Sequence, residues 1–384
     1  MRVAVNAEQL FYGSPGGVGR YTAQLLTVLP QLFPGDEVVP FTARHRHTQV
    51  AATLDAAGVD PATRARAVVL NWPRPLLYRG WVSVGRPHLP GLPGAELVHA
   101  PSVAVPPHPR VPLVVTVHDT AAELFPETFP SRGRRFHHQG LAAAARRADL
   151  VLTVSTSAAS EITAHSTIRP DRIRVIPNGV APLRVAPARR LELLAARGLD
   201  GPPFVLWVGS LEPRKGVGTL VAAMARLRRR GGGPAAGVHL VLAGYPGWLD
   251  GDLAPAADLA TLGGGLRQLG RVSEEELWAL YGGASLFAFP SRHEGFGLPV
   301  LEAMSQGTPV VAADIPALRE VAGGAARLVA PGDIDAWADA LGDLLHDAGE
   351  RRRMGQAGVA QAARFDVAST ISGIRAAYCE VLGR

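Results

Sequence analysis

Short, mostly apolar runs recur along this chain of 384 residues, and they constrain its fold more than any other feature. Segments with helical periodicity separate each run from the next. A strand covered on both faces reads as a continuous apolar run, whereas a strand with one wet face alternates polar and apolar residues. The pattern therefore predicts parallel sheets with helices packed on both faces.

The runs fall into two series, which predict two doubly wound α/β domains. The first series is 3–5, 38–41, 68–70, 97–99, 113–117, 150–154 and 174–176. The second series is 204–208, 239–243, 266–269, 286–289, 309–312 and 327–329. We place the first domain at 1–185 and the second at 186–365, with an exposed hinge in the Pro-, Ala- and Arg-rich segment 179–190. The remaining residues, 366–384, are predicted to contain an amphipathic helix from about Val367 to Leu382.

Charge is distributed unevenly between these domains. Residues 1–185 carry 19 arginines against 12 acidic residues, whereas residues 186–384 carry 20 basic and 21 acidic residues. A basic domain can bind nucleic acid, anionic lipid or a phosphorylated acceptor. The arginines are scattered without interleaved aromatic residues, which argues against nucleic acid. A loose contact with a membrane surface fits better, through the cluster Arg132, Arg134, Arg135, His137 and His138.

The sequence indicates neither cysteine chemistry nor membrane insertion. The single cysteine, Cys379, excludes an intramolecular disulfide and a cysteine-rich metal site. No apolar stretch approaches the roughly 18 residues of a membrane span, and a predicted strand follows Met1 and Arg2 directly, without a signal peptide. We therefore expect a cytoplasmic protein whose basic domain contacts the inner face of the membrane.

One connection between predicted elements carries the strongest functional signal, the string Ser-Arg-His-Glu-Gly-Phe-Gly-Leu-Pro-Val-Leu-Glu-Ala at 291–303. It follows an apolar run and leads into a segment with helical character, so it predicts a strand-to-helix turn. Gly295 and Gly297 let the backbone approach a ligand, and Pro299 suits the first turn of a helix. The unpaired amides at the start of such a helix attract an anion such as phosphate.

Two carboxylates and two cations complete this signal. Glu294 precedes the helix and Glu302 lies about one turn inside it, so they can hold hydroxyl groups at the two ends of a ligand whose phosphates lie between. A second strand-to-helix turn, Gly-Ser-Leu-Glu-Pro-Arg-Lys-Gly at 209–216, contains Arg214 and Lys215, the only lysine of the chain. Cations at a helix start oppose its dipole unless an anion is bound, so this pair indicates a clamp for a diphosphate, with Lys215 exposed. The ligand so described is a nucleotide sugar.

Both strings resemble signatures of the family-4 retaining glycosyltransferases of the GT-B fold, and the resemblance covers nearly the whole chain. It implies two Rossmann-like domains with a deep cleft between them, the first binding the acceptor and the second the nucleotide sugar. It also implies that the helix in 366–384 crosses back onto the first domain. Together with Gly-Trp-Leu at 247–249, the strings look most like those of mannosyltransferases that use GDP-mannose. UDP-, dTDP- and other GDP-sugars remain open as donors.

The resemblance assigns roles to residues of the first domain. His118, which ends the predicted strand 113–117, would line the sugar pocket and contact the transferred hexose, with Asp119 supporting it or contacting the acceptor. Gly17 would approach the donor diphosphate from a glycine-rich string that opens a helix near Tyr21. That string also resembles a dinucleotide fingerprint, but it lacks the third glycine at the required spacing, so a nicotinamide site is the weaker interpretation.

In the second domain, the resemblance implies that Glu294 holds the sugar hydroxyls and Glu302 the ribose. Val272 would bring its backbone close to the base. Asp333 and Asp335 form an Asp-x-Asp that opens a predicted helix, so we interpret it as a helix cap and predict no metal site. The donor-binding set is Ser210, Arg214, Lys215, Val272, Gly295, Phe296, Gly297, Leu298 and Glu302, together with Gly17.

The implied reaction moves a hexose from a nucleoside diphosphate sugar to a hydroxyl group, with retention and without a metal or other cofactor. In the family, the acceptor is thought to attack on the face that the diphosphate leaves, and the leaving phosphate takes the acceptor proton. The acceptor pocket would lie in the loops within 74–109, so a glycan, a lipid-linked saccharide or a secondary metabolite remains open. Two alternatives are a sugar-nucleotide epimerase of the same two-domain fold and a catalytically idle partner subunit.

Overall fold

The computed structural model describes residues 1–13, 16–89, 92, 94–107, 110–231, 237–247 and 253–384. These residues divide into two compact units. The N-terminal unit comprises Met1–Gly179 and Val367–Arg384, and the C-terminal unit comprises Val180–Asp366. The first division therefore falls at Gly179, slightly before the expected boundary at 185.

Each unit contains one parallel sheet among its described residues. The N-terminal sheet has the order β3-β2-β1-β4-β5-β6-β7, and the C-terminal sheet has the order β10-β9-β8-β11-β12-β13. In both sheets the order reverses at the first strand of the unit, as in a doubly wound fold. The strands are β1 (Arg2–Asn6), β2 (Glu37–Thr42), β3 (Val68–Val69), β4 (Leu97–Ala100), β5 (Leu113–Thr116), β6 (Leu150–Thr153), β7 (Ile173–Val175), β8 (Phe204–Val208), β9 (His239–Ala243), β10 (Leu266–Gly270), β11 (Leu286–Phe289), β12 (Val310–Ala313) and β13 (Ala326–Val329).

Every predicted run lies in one of these strands, with ends that agree within one residue. The reason is burial on both faces: β4, β5, β6, β11 and β12 are buried at every position. Successive residues of β1 illustrate this, because Ala4 belongs to one core of the unit whereas Val3 and Val5 belong to the other. A strand between two cores needs apolar side chains throughout.

Helices cover both sheets. Those of the N-terminal unit are α1 (Gly16–Leu32), α2 (His47–Ala56), α3 (Pro61–Ala65), α4 (Arg74–Val84), α5 (Ala121–Leu124), α6 (Ser131–Arg147), α7 (Thr156–His165) and α16 (Val367–Leu382). Those of the C-terminal unit are α8 (Pro187–Ala196), α9 (Val217–Arg230), α10 (Ala256–Leu262), α11 (Glu274–Gly283), α12 (Leu298–Ser305), α13 (Pro316–Ala322), α14 (Ile334–His346) and α15 (Ala348–Ala362).

The first helix begins earlier than the sequence suggested. We expected a start near Tyr21, but α1 begins at Gly16. Glycine disfavours a helix interior by about 1 kcal/mol relative to alanine, so the glycine-rich string favoured a later start for this helix. Tertiary packing outweighs that cost here, because Tyr21 and Leu25 on the inner face of α1 are buried in a core of the unit.

The last helix belongs to the unit that contains the start of the chain. Ile371, Ile374 and Tyr378 of α16 are buried in the same core as Tyr21 and Leu25 of α1. The chain leaves the N-terminal unit after Gly179 and returns to it at Val367.

The first and last residues of the C-terminal unit are neighbours. The Val180 amide donates to the Phe365 carbonyl (2.8 Å), and Val180 forms a parallel bridge with Asp366. The two ends of this unit are therefore held side by side.

Candidate functional site

The connection from β11 to α12 is a buried loop followed by a glycine that starts the helix. β11 is fully buried, and Ser291, His293 and Glu294 of the following loop are each at most 9% exposed. Gly297 precedes α12 with φ of +103°, a region that side chains other than glycine rarely adopt. The helix thus begins immediately after the loop. Pro299 in its first turn has no amide, and the Val300 amide donates to the Gly297 carbonyl (2.9 Å).

A second loop, from β8 to α9, contains the predicted cations. Residues Pro213–Lys215 form a turn of 3-10 helix between Glu212 and Gly216. Gly216 has φ of +66°, and a Cβ atom there would lie 2.2 Å from the Pro290 carbonyl oxygen. Only glycine lets this loop press so closely against the end of β11.

Four contacts join the two loops. The Lys215 Nζ lies 2.7 Å from Glu294 Oε1, and Arg214 Nη1 lies 3.7 Å from Glu294 Oε2. Arg214 also donates from Nη1 to the His293 carbonyl (2.5 Å), and the Arg292 amide donates to the Arg214 carbonyl (2.8 Å). The structure thus brings Arg214, Lys215 and Glu294 together, as the sequence analysis required.

The charges of this cluster are balanced within the protein. Burial raises the pKa of Glu294, but the positive charges of Lys215 and Arg214 and hydrogen bonds from Lys215 and Ser291 outweigh burial. The net pKa lies below the ordinary value of 4.5, so Glu294 is an anion at neutral pH. Arg214 also donates from Nη2 to the Glu212 carboxylate (3.3 Å), which accepts a further hydrogen bond from the Ser210 hydroxyl.

The expectation of an exposed Lys215 is wrong. Its side chain is 14% exposed, and that of Arg214 is 9% exposed. The cause is the ion pair with Glu294, which holds the ammonium group against the loop instead of releasing it into solvent. The Arg214 guanidinium contacts the His293 carbonyl and the carboxylates of Glu212 and Glu294. Lys215 is therefore the more accessible of the two cations.

Glu302 lies one turn inside α12, as expected. Its side chain is buried, and Oε2 accepts a hydrogen bond from the Tyr281 hydroxyl of α11 (2.7 Å). Phe296, which the sequence analysis also selected, is 5% exposed and packs edge-on against Phe365. Gly295 and Leu298 flank it on the same connection.

Backbone hydrogen bonds tie the loops after β8, β9 and β10 together. The Gly209 amide donates to the Ala243 carbonyl (3.0 Å), and the Gly244 amide donates to the Gly270 carbonyl (2.9 Å). The half-buried Val272 follows two residues later and precedes α11. Ser210 and Val272 therefore lie on the same edge of the sheet as the 291–297 loop, at the carboxyl ends of the strands.

Part of the mannosyltransferase-like string cannot be placed. Gly247 is described, whereas Trp248 and Leu249 lie outside the described residues. The Asp-x-Asp is a helix cap as predicted, since Asp333 Oδ1 accepts a hydrogen bond from the Ala336 amide (3.0 Å) at the start of α14.

In the N-terminal unit, His118 follows β5 and is held by a backbone group. Its Nε2 lies 3.0 Å from the Pro101 carbonyl oxygen, and its ring packs edge-on against Tyr21. Burial lowers the pKa of His118, partly opposed by the Pro101 carbonyl and Asp119. The ring is therefore neutral at pH 7. Because a carbonyl only accepts, Nε2 carries the proton and Nδ1 is an acceptor.

The other two candidates of this unit have simple local surroundings. Asp119 Oδ1 accepts a hydrogen bond from the Ala121 amide (3.0 Å), which secures the start of α5. Gly17 is exposed in the first turn of α1, directly after Gly16 with its φ of +59°.

Comparison with known proteins identifies the family. The model described as Glycosyltransferase Family 4 matches residues 15–184, and that described as Glycosyl transferases group 1 matches residues 192–361. The O-antigen chain mannosyltransferase B of Escherichia coli is 34% identical over 275 residues, which are 70% of this chain and 70% of that protein. This chain belongs to the family-4 glycosyltransferases of the GT-B fold.

A second relative and one solved structure are also similar to this glycosyltransferase. The D-inositol 3-phosphate glycosyltransferase of Nocardia farcinica is 38% identical over 287 residues, which are 71% of this chain and 62% of that protein. The crystal structure of Anabaena Alr3699/HepE in complex with UDP and glucose has a TM-score of 0.74 and 20% identity, covering 99% of this chain and 100% of that one. The structural likeness concerns the fold.

Sequence reasoning missed a buried hydrogen-bond network in the N-terminal unit of this glycosyltransferase. His99 contacts the Tyr378 hydroxyl through Nδ1 (2.6 Å) and the Thr116 hydroxyl through Nε2 (2.8 Å), and Thr116 contacts the Tyr21 hydroxyl (3.0 Å). Burial, followed by the charge of His118, lowers the pKa of His99 to about 3. A histidine within an apolar run, one strand away from His118, was the available signal.

A buried carboxylate was also missed. Glu8 is fully buried, and its carboxylate accepts hydrogen bonds from the Ala43 amide (2.8 Å) and His45 Nε2 (3.0 Å). Arg74 Nη1 lies 3.7 Å from Glu8 Oε1. The position of Glu8, two residues after a buried strand, was its only sequence signal.

Neither a metal-binding cluster nor a membrane-spanning helix is found among the described residues. No group of three or more His, Cys, Asp or Glu side chains in the described part of the chain is arranged to hold a metal ion. No helix in that part is both long and apolar enough to cross a membrane.

Proposed function

We propose that this glycosyltransferase moves a hexose, with mannose favoured, from a nucleoside diphosphate sugar to a hydroxyl group with retention of configuration. The observation that carries the proposal is the joined pair of loops in the C-terminal unit, in which Lys215 meets Glu294 immediately before α12. An ammonium group that keeps 14% of its side chain exposed beside a helix start is suited to a diphosphate. A carboxylate in the same cluster is suited to sugar hydroxyl groups.

In this proposal, the donor diphosphate takes the place of Glu294 as the main partner of Lys215. The Glu294 carboxylate then accepts hydrogen bonds from hydroxyl groups of the hexose. Arg214 supports the loop through the His293 carbonyl and adds positive charge close by. Amides at Gly297 and Leu298 stabilise the charge that builds on the leaving group. Glu302 binds the ribose, Val272 meets the base, and Ser210, Gly295, Phe296 and Gly17 complete the donor contacts.

The proposed reaction needs no metal or other cofactor. The acceptor oxygen attacks the anomeric carbon on the face that the diphosphate leaves, and the bond between that carbon and the phosphate oxygen breaks. The acceptor proton passes to the leaving phosphate oxygen. His118, neutral and with its Nε2 proton held by the Pro101 carbonyl, is proposed to contact the transferred hexose. Asp119 would support it or contact the acceptor.

The names of the relatives support the choice of substrates. A mannosyltransferase among them favours GDP-mannose as donor, and UDP in the Anabaena structure keeps UDP-sugars as the second choice. Glycan, lipid-linked and secondary-metabolite acceptors are all compatible with a hydroxyl nucleophile. We also propose a cytoplasmic location, with the basic N-terminal unit touching the inner face of the membrane. The family assignment favours transfer over the epimerase alternative, which would instead convert the donor sugar without an acceptor.

A thermal-shift panel tests the donor site. GDP should raise the melting temperature more than UDP, dTDP or ADP, because GDP is the diphosphate of the favoured donor. A ligand at about 100 times its Kd stabilises the native state by about 2.7 kcal/mol. Lys215→Ala should remove most of the GDP shift and lower transfer from GDP-mannose by a factor of about 10² or more.

Arg226→Ala is the matched control for this experiment. Arg226 is an exposed cation of α9, paired with Asp335 in the same unit. Its loss should leave both the GDP shift and the transfer rate unchanged. Equal GDP shifts in the wild type and in Lys215→Ala would overturn the diphosphate site.

A further inference from the structure

The N-terminal unit contains a cavity of about 720 Å³ that the donor site does not use. It lies between α4 and the first turns of α6, and Tyr12 closes one side. This volume is within the range of pockets that hold small molecules. Its lining includes the four arginines Arg74, Arg79, Arg132 and Arg135; we call it the arginine pocket.

The arginine pocket has an excess of positive charge. No aspartate or glutamate is among the described residues that line it. Arg79, Arg132 and Arg135 are exposed, and no ion pair joins them to an acidic side chain of the described residues. Arg74 lies near the buried Glu8, whose carboxylate also contacts His45, and Arg135 also lines a neighbouring cavity together with Glu123. Like charges gathered in one concavity repel one another unless an anion is bound.

The start of α6 adds to this field. The helix has 17 residues, begins at Ser131 in the pocket wall, and has neither an acidic residue in its first turn nor a side-chain cap at Pro130. Its unpaired amides and the positive end of its dipole therefore remain available beside Arg132 and Arg135. An anion in the pocket would meet both.

Aromatic rings form the rest of the wall. The Arg74 guanidinium lies over the Tyr12 ring, 4.1 Å from its centre, and Tyr78 stacks on Phe136 with 5.9 Å between ring centres. The faces of such aromatic rings can pack against a sugar ring or another ligand with an apolar surface. The Tyr78 hydroxyl accepts a hydrogen bond from Asn6, the last residue of β1 (3.2 Å). The pocket therefore lies at the carboxyl edge of the sheet, the edge at which His118 follows β5.

We propose that the arginine pocket binds a phosphate group carried by the acceptor, with the body of the acceptor against the aromatic wall. This inference rests on the proposed function, because it names the acceptor of that reaction as a phosphorylated polyol or sugar. A soluble sugar phosphate and a lipid headgroup provide the same phosphate chemistry. Arginine is the residue best suited to bind phosphate oxygens in pairs.

Direct binding to the full chain tests the pocket. Calorimetric titration with glucose 6-phosphate, against glucose as the unphosphorylated probe, examines the soluble source. Sedimentation with phosphatidylcholine vesicles that contain phosphatidylinositol, against vesicles of phosphatidylcholine alone, examines the lipid source. We expect one of the phosphorylated probes to bind, and Arg132→Ala to weaken that binding at least about ten-fold.

Arg169→Ala is the control variant, since Arg169 is an exposed arginine of the same unit that pairs with Asp171. It should leave binding unchanged, and GDP binding should be the same in all three proteins. Binding that depends on Arg132, either to glucose 6-phosphate or to the phosphatidylinositol vesicles, supports phosphate binding in the arginine pocket. The probe that binds shows whether the phosphate comes from a soluble sugar phosphate or from a lipid headgroup. Equal weakening by Arg132→Ala and Arg169→Ala, or no binding of either phosphorylated probe, overturns it. A wild-type protein that binds a phosphorylated probe but not GDP would overturn the donor site instead.

Discussion

Buried ionisable side chains are compensated in different ways within this molecule. Glu294 remains charged because Lys215 and Arg214 lie beside it, and its pKa is held below the ordinary value despite burial. Glu8 is compensated by an amide and by His45. His99 lies between the hydroxyl groups of Tyr378 and Thr116 and stays neutral. Burial of a charge is costly, so each solution affects how stability depends on pH.

His99 should make the N-terminal unit sensitive to acid. Its pKa falls from an ordinary 6.5 to about 3 on folding, so the unfolded chain binds a proton between these values that the folded chain does not. The contribution of neutral His99 to the free energy of unfolding is therefore complete above pH 6.5. It is lost as the pH falls towards 3, by at most about 1.4 kcal/mol per pH unit. Urea unfolding of the wild type and of His99→Gln at pH 7 and pH 5 measures this.

The variant should lose less stability than the wild type between these two pH values. His165→Gln, at an exposed position near the end of α7, is the control and should behave as the wild type does. A pH dependence unchanged by His99→Gln would contradict the role of His99.

Residue types and spacing were sufficient to select most of the C-terminal cluster, but not its charge balance. Glu294 and Lys215 stand 79 positions apart, and the resemblance of both strings to one family predicted that they share a site. Sequence cannot show that Arg214 donates a hydrogen bond to the His293 carbonyl, because that contact depends on how closely the two loops approach each other. The His99 network was likewise hidden, since one of its members comes from α16, 279 positions along the chain.

At the scale of elements, the close approach of the β8–α9 loop to β11 depends on Gly216. An added Cβ atom would lie 2.2 Å from the Pro290 carbonyl oxygen, which is a backbone atom that cannot rotate away. Gly216→Ala should therefore destabilise the C-terminal unit by more than the roughly 1–2 kcal/mol that a positive φ alone costs. It should also displace Lys215 and weaken GDP binding.

Gly332→Ala isolates the cost of the backbone angle. Gly332 has φ of +81° in the same unit, and nothing lies within 4 Å of its added Cβ atom. Urea unfolding and GDP titration of both variants should show a smaller loss of stability and normal GDP binding for Gly332→Ala. Equal effects of the two substitutions would show that the contact with Pro290 is unimportant.

Elements that are buried on both faces were predictable, whereas the start of α1 was not. The fully buried strands β4, β5, β6, β11 and β12 were found because a strand between two cores has few polar positions to interrupt the pattern. The start of α1 depends on long-range packing of Tyr21 and Leu25, which local propensity does not contain. The arginine pocket was out of reach for the same reason, since α4 and α6 meet only in the folded unit.

At the scale of the whole molecule, each unit has its own sheet and is covered by its own helices. We expect scanning calorimetry to resolve two unfolding transitions, because each unit buries apolar surface of its own. GDP should raise only the transition of the C-terminal unit. Gly216→Ala identifies that transition by lowering it. A single transition that GDP raises as a whole would contradict separate unfolding.

The side-by-side ends of the C-terminal unit, joined by the Val180 amide and the Phe365 carbonyl, have a consequence for how such enzymes diversify. A segment with adjacent ends can be transplanted as a cassette, because both junctions occupy one place and neither needs a longer linker. Grafting the corresponding segment of a relative between Gly179 and Val367 would then exchange the preferred sugar nucleotide while the host retains its arginine pocket. Because most of the proposed donor contacts lie in the C-terminal unit and the arginine pocket lies in the N-terminal unit, we expect such grafts to recombine donor and acceptor preferences.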